Sequence, residues 1–338
     1  MDPDSAHPRY QLIEYEAGRD DFAEAVREGL LHPSKTLPFR FFYDHRGSQL
    51  FEEICRIPEY YPTRCEREIL EQRADEIAEH FEVPITLAEL GSGSASKTTL
   101  LIEAFQRRQE RLQYIPADIS RSALEASSQG LLERYPKLEI VALCAEYEQC
   151  LRHIEKETLA PKLIAWLGSS VGNLSLEEAT RFLIQIRSAM ASGDGLLMGV
   201  DLHKSAVVLE RAYDDAAGVT ARFNKNLLDR IDRELAGEFY MASFSHVARW
   251  NEAMSRVEMH LRSDRKQRVR IAALGIEVSF DEGETIHTEN SHKYSMERIE
   301  NLVAASDLTL NEVWTDAQGY FALVLATAGT ERGNHANA

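Results

Sequence analysis

The run Thr86-Leu87-Ala88-Glu89-Leu90 is apolar enough for a buried strand. It ends in Gly91-Ser92-Gly93-Ser94-Ala95-Ser96-Lys97, and the helix-like Thr98-Thr99-Leu100-Leu101 follows. Gly91 and Gly93 remove side chains where a strand turns sharply into a helix. Backbone N–H groups and the positive helix end can then approach a ligand closely. One strand pattern later, Tyr114-Ile115-Pro116-Ala117 ends in Asp118. At the tip of a second parallel strand that carboxylate would meet ribose hydroxyls. Turn and acid together point to a nucleotide-type ligand; the structural alternative is a strand–turn–helix whose glycines serve packing alone.

Outward from that turn, five apolar strand patterns alternate with helical ones: Thr86–Leu90, Gln113–Asp118, Glu139–Cys144, Lys162–Leu167 and Gly195–Asp201. This is the rhythm of a parallel sheet with crossover helices. A helix over Leu176–Met190 is opened by Ser175 with Glu178 three residues on, a capping box, and stopped by Gly193-Asp194-Gly195. A further helix near Met296–Ala305 precedes strands at Thr309–Trp314 and Tyr320–Ala326, a terminal antiparallel hairpin that brings the sheet to seven strands. Residues from about 203 to 290 break the rhythm with two helices and then strands of period two: Val257, Met259 and Leu261; Val269, Ile271 and Ala273; Ile276, Val278 and Phe280. We read this as an insertion, packing with the helical segment before residue 64 and leaving a cleft at the carboxyl ends of the parallel strands.

A chain of 338 residues can bury a sizeable core, in two domains or in one domain carrying a large insertion. Its net charge of -17 and pI near 5.2 oppose binding to phosphate backbones, so nucleic acid is not an expected partner. Cys55, Cys65, Cys144 and Cys150 lack metal-ligand spacing and read as reduced thiols, and no metal site is expected. Met1 to His7 carries no apolar leader and no run is long enough to span a bilayer; a soluble, cytoplasmic monomer is expected, with a disordered tail over 329–338.

The dinucleotide fingerprint GxGxxG is incomplete, because Ser96 stands at the third glycine position. That disfavours a nicotinamide cofactor and suits S-adenosylmethionine better. Four further strings narrow the reading: Phe42-Tyr43-Asp44 with Gly47-Ser48; Pro58-Glu59-Tyr60-Tyr61-Pro62-Thr63-Arg64; Leu167-Gly168-Ser169-Ser170-Val171-Gly172-Asn173-Leu174; and Ala212-Tyr213-Asp214-Asp215-Ala216-Ala217-Gly218-Val219-Thr220. Together they resemble the histidine-specific Nα-methyltransferases of ergothioneine biosynthesis, from about Lys35 to Ala326. The resemblance implies a class I (Rossmann-like) α/β methyltransferase with an inserted α+β substrate-binding domain. It also implies S-adenosyl-L-methionine as methyl donor and trimethylation of the α-amine of L-histidine to hercynine. The implied partition is 65–202 with 291–328 for the methyl donor, and 8–64 with 203–290 for the substrate.

Carried over by position, Gly91, Lys97, Asp118, Glu146 and Tyr147 would hold the cofactor, Glu146-Tyr147 standing where the family has Asp-Phe. Tyr60, Gly168, Asn173, Tyr213, Met259, Glu289 and Ser291 would line the histidine pocket, with Tyr43, Asn173 and Tyr213 closest to the chemistry. Taken alone, several of these read more plainly. Asn173 is a turn residue, Tyr60 a core aromatic before a proline kink, and Met259 core packing. Lys97 is a solvated cation, and Thr288-Glu289-Asn290-Ser291-His292 a solvated loop with His287 and His292 at the surface. Rival functions are an Nα-methyltransferase for another amino acid such as tryptophan, a non-catalytic S-adenosylmethionine sensor, and a nicotinamide oxidoreductase.

Overall fold

A computed structural model describes residues 9–15, 20–157 and 161–328; the expected disordered tail over 329–338 lies outside them. In chain order the elements begin with β1 (Tyr10–Glu14), α1 (Asp20–Leu31), α2 (His45–Ile54), α3 (Pro62–Glu79), β2 (Thr86–Leu90), α4 (Thr98–Gln106), β3 (Leu112–Asp118), α5 (Arg121–Arg134) and β4 (Leu138–Cys144). Next come α6 (Tyr147–Glu157), β5 (Lys162–Trp166), α7 (Leu176–Ser188), β6 (Gly195–Asp201), α8 (Ala206–Tyr213) and α9 (Val219–Leu235). The chain closes with β7 (Phe244–Asn251), β8 (Arg256–Ser263), β9 (Gln267–Ile271), β10 (Ile276–Phe280), β11 (Thr285–His292), α10 (Met296–Ala305), β12 (Leu308–Thr315) and β13 (Phe321–Ala328). Their described residues divide into two compact units, one within 9–15, 65–202 and 294–328, the other within 20–64 and 203–293.

The first unit is built on one sheet in the order β1-β4-β3-β2-β5-β6-β13-β12. Its first six strands are parallel, and β13 and β12 run antiparallel as the expected closing hairpin. Every residue of β2, β5 and β6 is buried, which explains why these strands read as mostly apolar runs instead of alternating; Glu89, Lys162 and Asp201 are the buried charges among them. From β2 the chain winds one way through β3 and β4, then the other way through β5 and β6. The strand ends of β2 and β5 therefore flank the point where winding reverses, the usual ligand position in such sheets. The foreseen capping box closes: Ser175 Oγ accepts the Glu178 N–H and the Glu178 carboxylate accepts the Ser175 N–H.

The sheet has eight strands, not the expected seven. Tyr10–Glu14 pairs in parallel with Ile140–Cys144, so this segment belongs to the sheet unit, not to an 8–64 substrate segment. The strand is short and half-buried, and its placement rests on the open edge of β4, which no local pattern reveals. At the other boundary, Ser291 to Lys293 fall in the second unit.

The second unit holds a three-stranded sheet, β11-β8-β7, and a separate hairpin, β10-β9. Val257, Met259 and Leu261 are buried on β8 as the alternation required, but so are Glu258 and His260, because both faces are covered. Ala273 lies in the turn Ala272–Leu274, outside any strand. The polar run read as a solvated loop is the strand β11, in which Thr288, Ser291 and His292 are buried. His287 is half-buried too, its ring stacked on that of His260 with centroids 4.7 Å apart. Strand propensity missed this segment because its polar groups are satisfied by partners distant in sequence.

Candidate functional site

In the first unit the glycine turn is held from two directions. Gly91 N–H and Ser92 N–H donate to Ala117 O at 2.8 and 3.1 Å. Gly93 N–H donates to Asp118 Oδ2 at 2.9 Å, and Ser120 N–H to Asp118 Oδ1 at 2.8 Å. Asp118 thus braces the turn it was expected to complement. Burial pushes its carboxyl upward against the opposing pull of the Ser120 and Gly93 N–H groups. Gly91 has φ +70°, and a Cβ there would lie 2.8 Å from the Tyr147 hydroxyl. Tyr147 is stacked on Phe182 with centroids 5.3 Å apart and meets Trp166 edge-on. Glu146 is exposed, its backbone opening the first turn of α6 beside Tyr147.

Lys97 is not a solvated cation. It forms an ion pair with Glu66, whose side chain is fully buried at the start of α3. The same carboxylate accepts the Gly168 N–H with both oxygens, at 2.8 and 3.0 Å. Gly199 on β6 makes room for it: a Cβ there would stand 2.0 Å from Glu66 Oε1. Glu66 therefore ties the helix after β2 to the loop after β5. That loop is fixed further by Asp201 N–H donating to Ser169 Oγ at 2.9 Å and by Ser170 Oγ donating to Leu167 O. Asn173 closes the 3-10 turn Ser170–Asn173 and is half-buried; the turn reading holds for its backbone. The sequence reading missed Glu66, because α3 is rich in exposed acids and nothing in its spacing singles one out.

In the second unit the quoted strings are scaffold as much as site. Asp44 caps α2 by accepting the Gly47 N–H at 2.7 Å, and it also takes Asn226 Nδ2 at 2.8 Å and the Arg233 guanidinium. This sets Tyr43, whose ring meets Phe51 and Phe223 edge-on. Asp215 accepts the N–H groups of Val219 and Thr220 at 2.9 and 2.7 Å, capping α9 just past Tyr213. The Tyr213 carbonyl accepts from His246 Nε2 at 2.8 Å. Since a carbonyl only accepts, the proton sits on Nε2, leaving Nδ1 to accept from Asn224 Nδ2 at 2.9 Å.

Tyr60 and Tyr213 are buried and meet edge-to-face at 6.1 Å. Burial, with the nearby Tyr213, Cys55, Tyr43 and Glu289, pushes the Tyr60 phenol well above its ordinary range, so it is a hydroxyl donor at any physiological pH. Met259 and Glu289 are register partners across β8 and β11 and share a face. The register shifts between His287 and Glu289, where Thr288 Oγ1 donates to Met259 O at 3.0 Å and His287 Nε2 bonds Glu289 O at 3.1 Å. Such a bulge re-aims the side chain that follows it, here Glu289. Tyr213 and Ser291 hydroxyls lie 2.7 Å apart, and the buried Lys293 donates to both. Tyr43, Tyr60, Tyr213, Met259, Glu289 and Ser291 thus come from one unit, and Gly91, Lys97, Asp118, Tyr147, Gly168 and Asn173 from the other.

A sheet that reverses its winding beside a glycine turn, with an acid at the tip of the next strand, is the architecture of a class I methyltransferase and of related nucleotide-binding sheets. Comparison with known proteins narrows the class. Residues 22–328 match the family described as histidine-specific methyltransferase, SAM-dependent. Histidine N-alpha-methyltransferase of Mycobacterium tuberculosis is 43% identical over 311 residues, 92% of this chain and 96% of that protein. The protein of the same description from Mycolicibacterium smegmatis is 42% identical, over 91% and 96%. The L-tryptophan methyltransferase trpM of Psilocybe serbica is 28% identical over 94% and 97%. The chain belongs to the family of histidine-specific, S-adenosylmethionine-dependent methyltransferases.

The residues present fit that donor. Space is open where a Cβ of Gly93 would stand, the Asp118 carboxylate lies at the turn, and Ser92 Oγ within it is buried with no hydrogen-bond partner among the described residues. Among the described residues no cluster of His, Cys, Asp and Glu could hold a metal, the four cysteines are free thiols, and no helix is long and apolar enough to cross a membrane.

Proposed function

We propose that the protein, acting as a monomer, transfers three methyl groups in succession to the α-amine of L-histidine, giving hercynine, the first step of ergothioneine biosynthesis. S-adenosylmethionine, when bound, supplies an electrophilic sulfonium methyl group. The reading is carried by the polar set Tyr60, Tyr213, Glu289 and Ser291 within one unit of a family member whose other unit carries the Gly91–Asp118 turn.

In this reading Gly91, Asp118 and Tyr147 hold the donor's nucleoside, and Lys97 and Gly168, fixed through Glu66, set the floor beside it. Asn173 carries both a donor and an acceptor on one amide, so it accepts an amine hydrogen while donating to the substrate carboxylate. Tyr213 gives a second donor to that carboxylate. Glu289, Ser291 and Tyr60 read the imidazole, a ring with one donor and one acceptor nitrogen. Tyr43 turns an aromatic face and a hydroxyl to the growing methylammonium. Each transfer forms one N–CH3 bond as the donor's S–CH3 bond breaks and S-adenosylhomocysteine leaves, and the amine gives up one proton to water, three protons in all. No protein nucleophile is required, because holding a neutral lone pair in line with the reacting carbon supplies most of the acceleration.

Incubation of the purified protein with S-adenosylmethionine and L-histidine, read by mass spectrometry, tests this directly; mono-, di- and trimethylhistidine are the expected products. L-tryptophan in a parallel reaction is the control, and its indole, which has no acceptor nitrogen, should be turned over poorly. Donor binding without any methylated histidine would overturn the reading in favour of a sensor.

A further inference from the structure

Tyr213 is the last residue of α8, and the carbonyls of a helix's final turn have no partner within the helix. His246 on β7 supplies one, its Nε2 standing 2.8 Å from the Tyr213 carbonyl oxygen. Its Nδ1 lies 2.9 Å from Asn224 Nδ2 on α9, and that same nitrogen is 3.1 Å from the carbonyl oxygen of His260 on β8. Asn224 is fully buried, and all four residues belong to the second unit.

The direction of each bond follows from the far end of this chain. The His260 carbonyl only accepts, so the amide must turn its nitrogen there; exchanging nitrogen and oxygen would set two acceptors 3.1 Å apart. The second hydrogen of that nitrogen goes to His246 Nδ1, which leaves the ring's proton on Nε2, facing Tyr213. Burial above all pushes the His246 imidazole below its ordinary value, with Lys225 acting the same way and the Tyr213 carbonyl, Asp214 and Asp215 opposing. The neutral ring therefore prevails at about pH 7.5. We propose that His246, oriented by Asn224, is a positioning residue: by holding the Tyr213 carbonyl it fixes the point from which the Tyr213 side chain reaches the substrate. Just beyond, Asp215 accepts the Val219 and Thr220 N–H groups, so the backbone is anchored on both sides of the tyrosine. A misplacement of about 1 Å is enough to weaken such a contact severely. The inference rests on the histidine reading above, in which Tyr213 donates to the substrate carboxylate, and adds to it a residue that acts through Tyr213.

A glutamine amide reproduces the reach of the ring's Nε2 and an asparagine amide that of Nδ1, so the two replacements remove opposite ends of the contact. His246→Asn should raise the KM for L-histidine at least about tenfold with kcat held within about threefold, while His246→Gln keeps a donor for the carbonyl and should hold both within about threefold. Placed in a Tyr213→Phe background, where the hydroxyl is gone, His246→Asn should add less than about threefold. Long-range 1H–15N correlation spectra of the wild-type imidazoles, with the signal assigned by its loss in His246→Gln, should show hydrogen on Nε2 and none on Nδ1. A proton on Nδ1, equal KM in the two variants, or a tenfold effect that persists in Tyr213→Phe overturns the proposal. Should His246→Asn fail to fold by circular dichroism, His246→Gln decides: a retained KM supports the proposal and a tenfold rise overturns it. Wild-type protein that binds S-adenosylmethionine yet leaves histidine unmethylated refutes the functional reading itself, a result distinct from all of these.

Discussion

Removing Glu66 should weaken both the fold of the sheet unit and its hold on the methyl donor. The carboxylate is fully buried, Lys97 is its ion-pair partner with 18% of its side chain exposed, and the Gly168 N–H is bound by both oxygens. Breaking a buried pair by deleting one partner costs about 3–5 kcal/mol, since the remaining charge is left uncompensated. An orphaned backbone N–H adds about 1–3 kcal/mol. Lys97 can turn partly to water, which offsets some of this, so Glu66→Ala should lose about 3–5 kcal/mol. Glu66→Gln keeps an acceptor for Gly168 and loses only the charge, and about 2–3 kcal/mol is expected. Urea unfolding followed by circular dichroism measures this, the midpoint moving at constant slope. Titration calorimetry with S-adenosylmethionine should show affinity reduced at least about tenfold, equivalent to 1.4 kcal/mol, because Lys97 and Gly168 lose their common anchor. Glu66→Ala within 1 kcal/mol of wild type would refute the energetic argument. Lost stability with undiminished donor affinity would refute the positioning argument.

Three further outcomes follow from the same geometry. Asp118→Ala removes a carboxylate that braces Gly93 and Ser120, and donor affinity should fall about 10–100-fold, with histidine affinity at saturating donor changed much less; calorimetry reads both. Glu289→Ala should raise the histidine KM by about 10–100-fold while donor binding is retained, and equal loss of both would point instead to unfolding. Acid should destabilise the second unit. His260 is buried against His287 and hydrogen-bonded to Glu258, near Arg249, and burial first, then His287, pushes its imidazole down to about 4. A histidine lowered from an ordinary value near 6.5 contributes stability present above that value and lost as pH falls toward 4, about 3 kcal/mol. Glu258 acts in the same direction at lower pH: burial alone would raise it, but hydrogen bonds from Arg256, Asn251, Arg249 and His260 hold it well below the carboxylate range. Unfolding midpoints at pH 7 and pH 4.5 check this; equal midpoints, or an equal fall in His260→Gln, would refute it.

The sheet and the donor half were legible because their signals are local. A strand buried on both faces is apolar along most of its length, a sharp strand-to-helix turn needs Gly91, and a capping box needs Ser175 and Glu178 three apart. The strings around Tyr43, Tyr60, Asn173 and Tyr213 were recognisable as a family's, and the structure shows why two of them are so constrained: Asp44 and Asp215 spend their carboxylates on helix N-termini that set Tyr43 and Tyr213. Period-two alternation also existed at Glu289, Ser291 and Lys293, but in polar residues, where it gives no hydrophobic contrast.

By itself, then, the sequence determined the parallel sheet, the glycine turn, the acid on the neighbouring strand and the family of the chain, since each depends on residues adjacent or periodic along it. Tertiary structure alone decided that Tyr10–Glu14 completes the sheet, that Thr285–His292 is a strand, and that Glu66 and Lys293 are buried, each within its own unit. A buried charge is tolerated only where partners converge on it, and those partners, Gly168 and Lys97 for one, Tyr213 and Ser291 for the other, include groups 102 and 80 residues away along the chain.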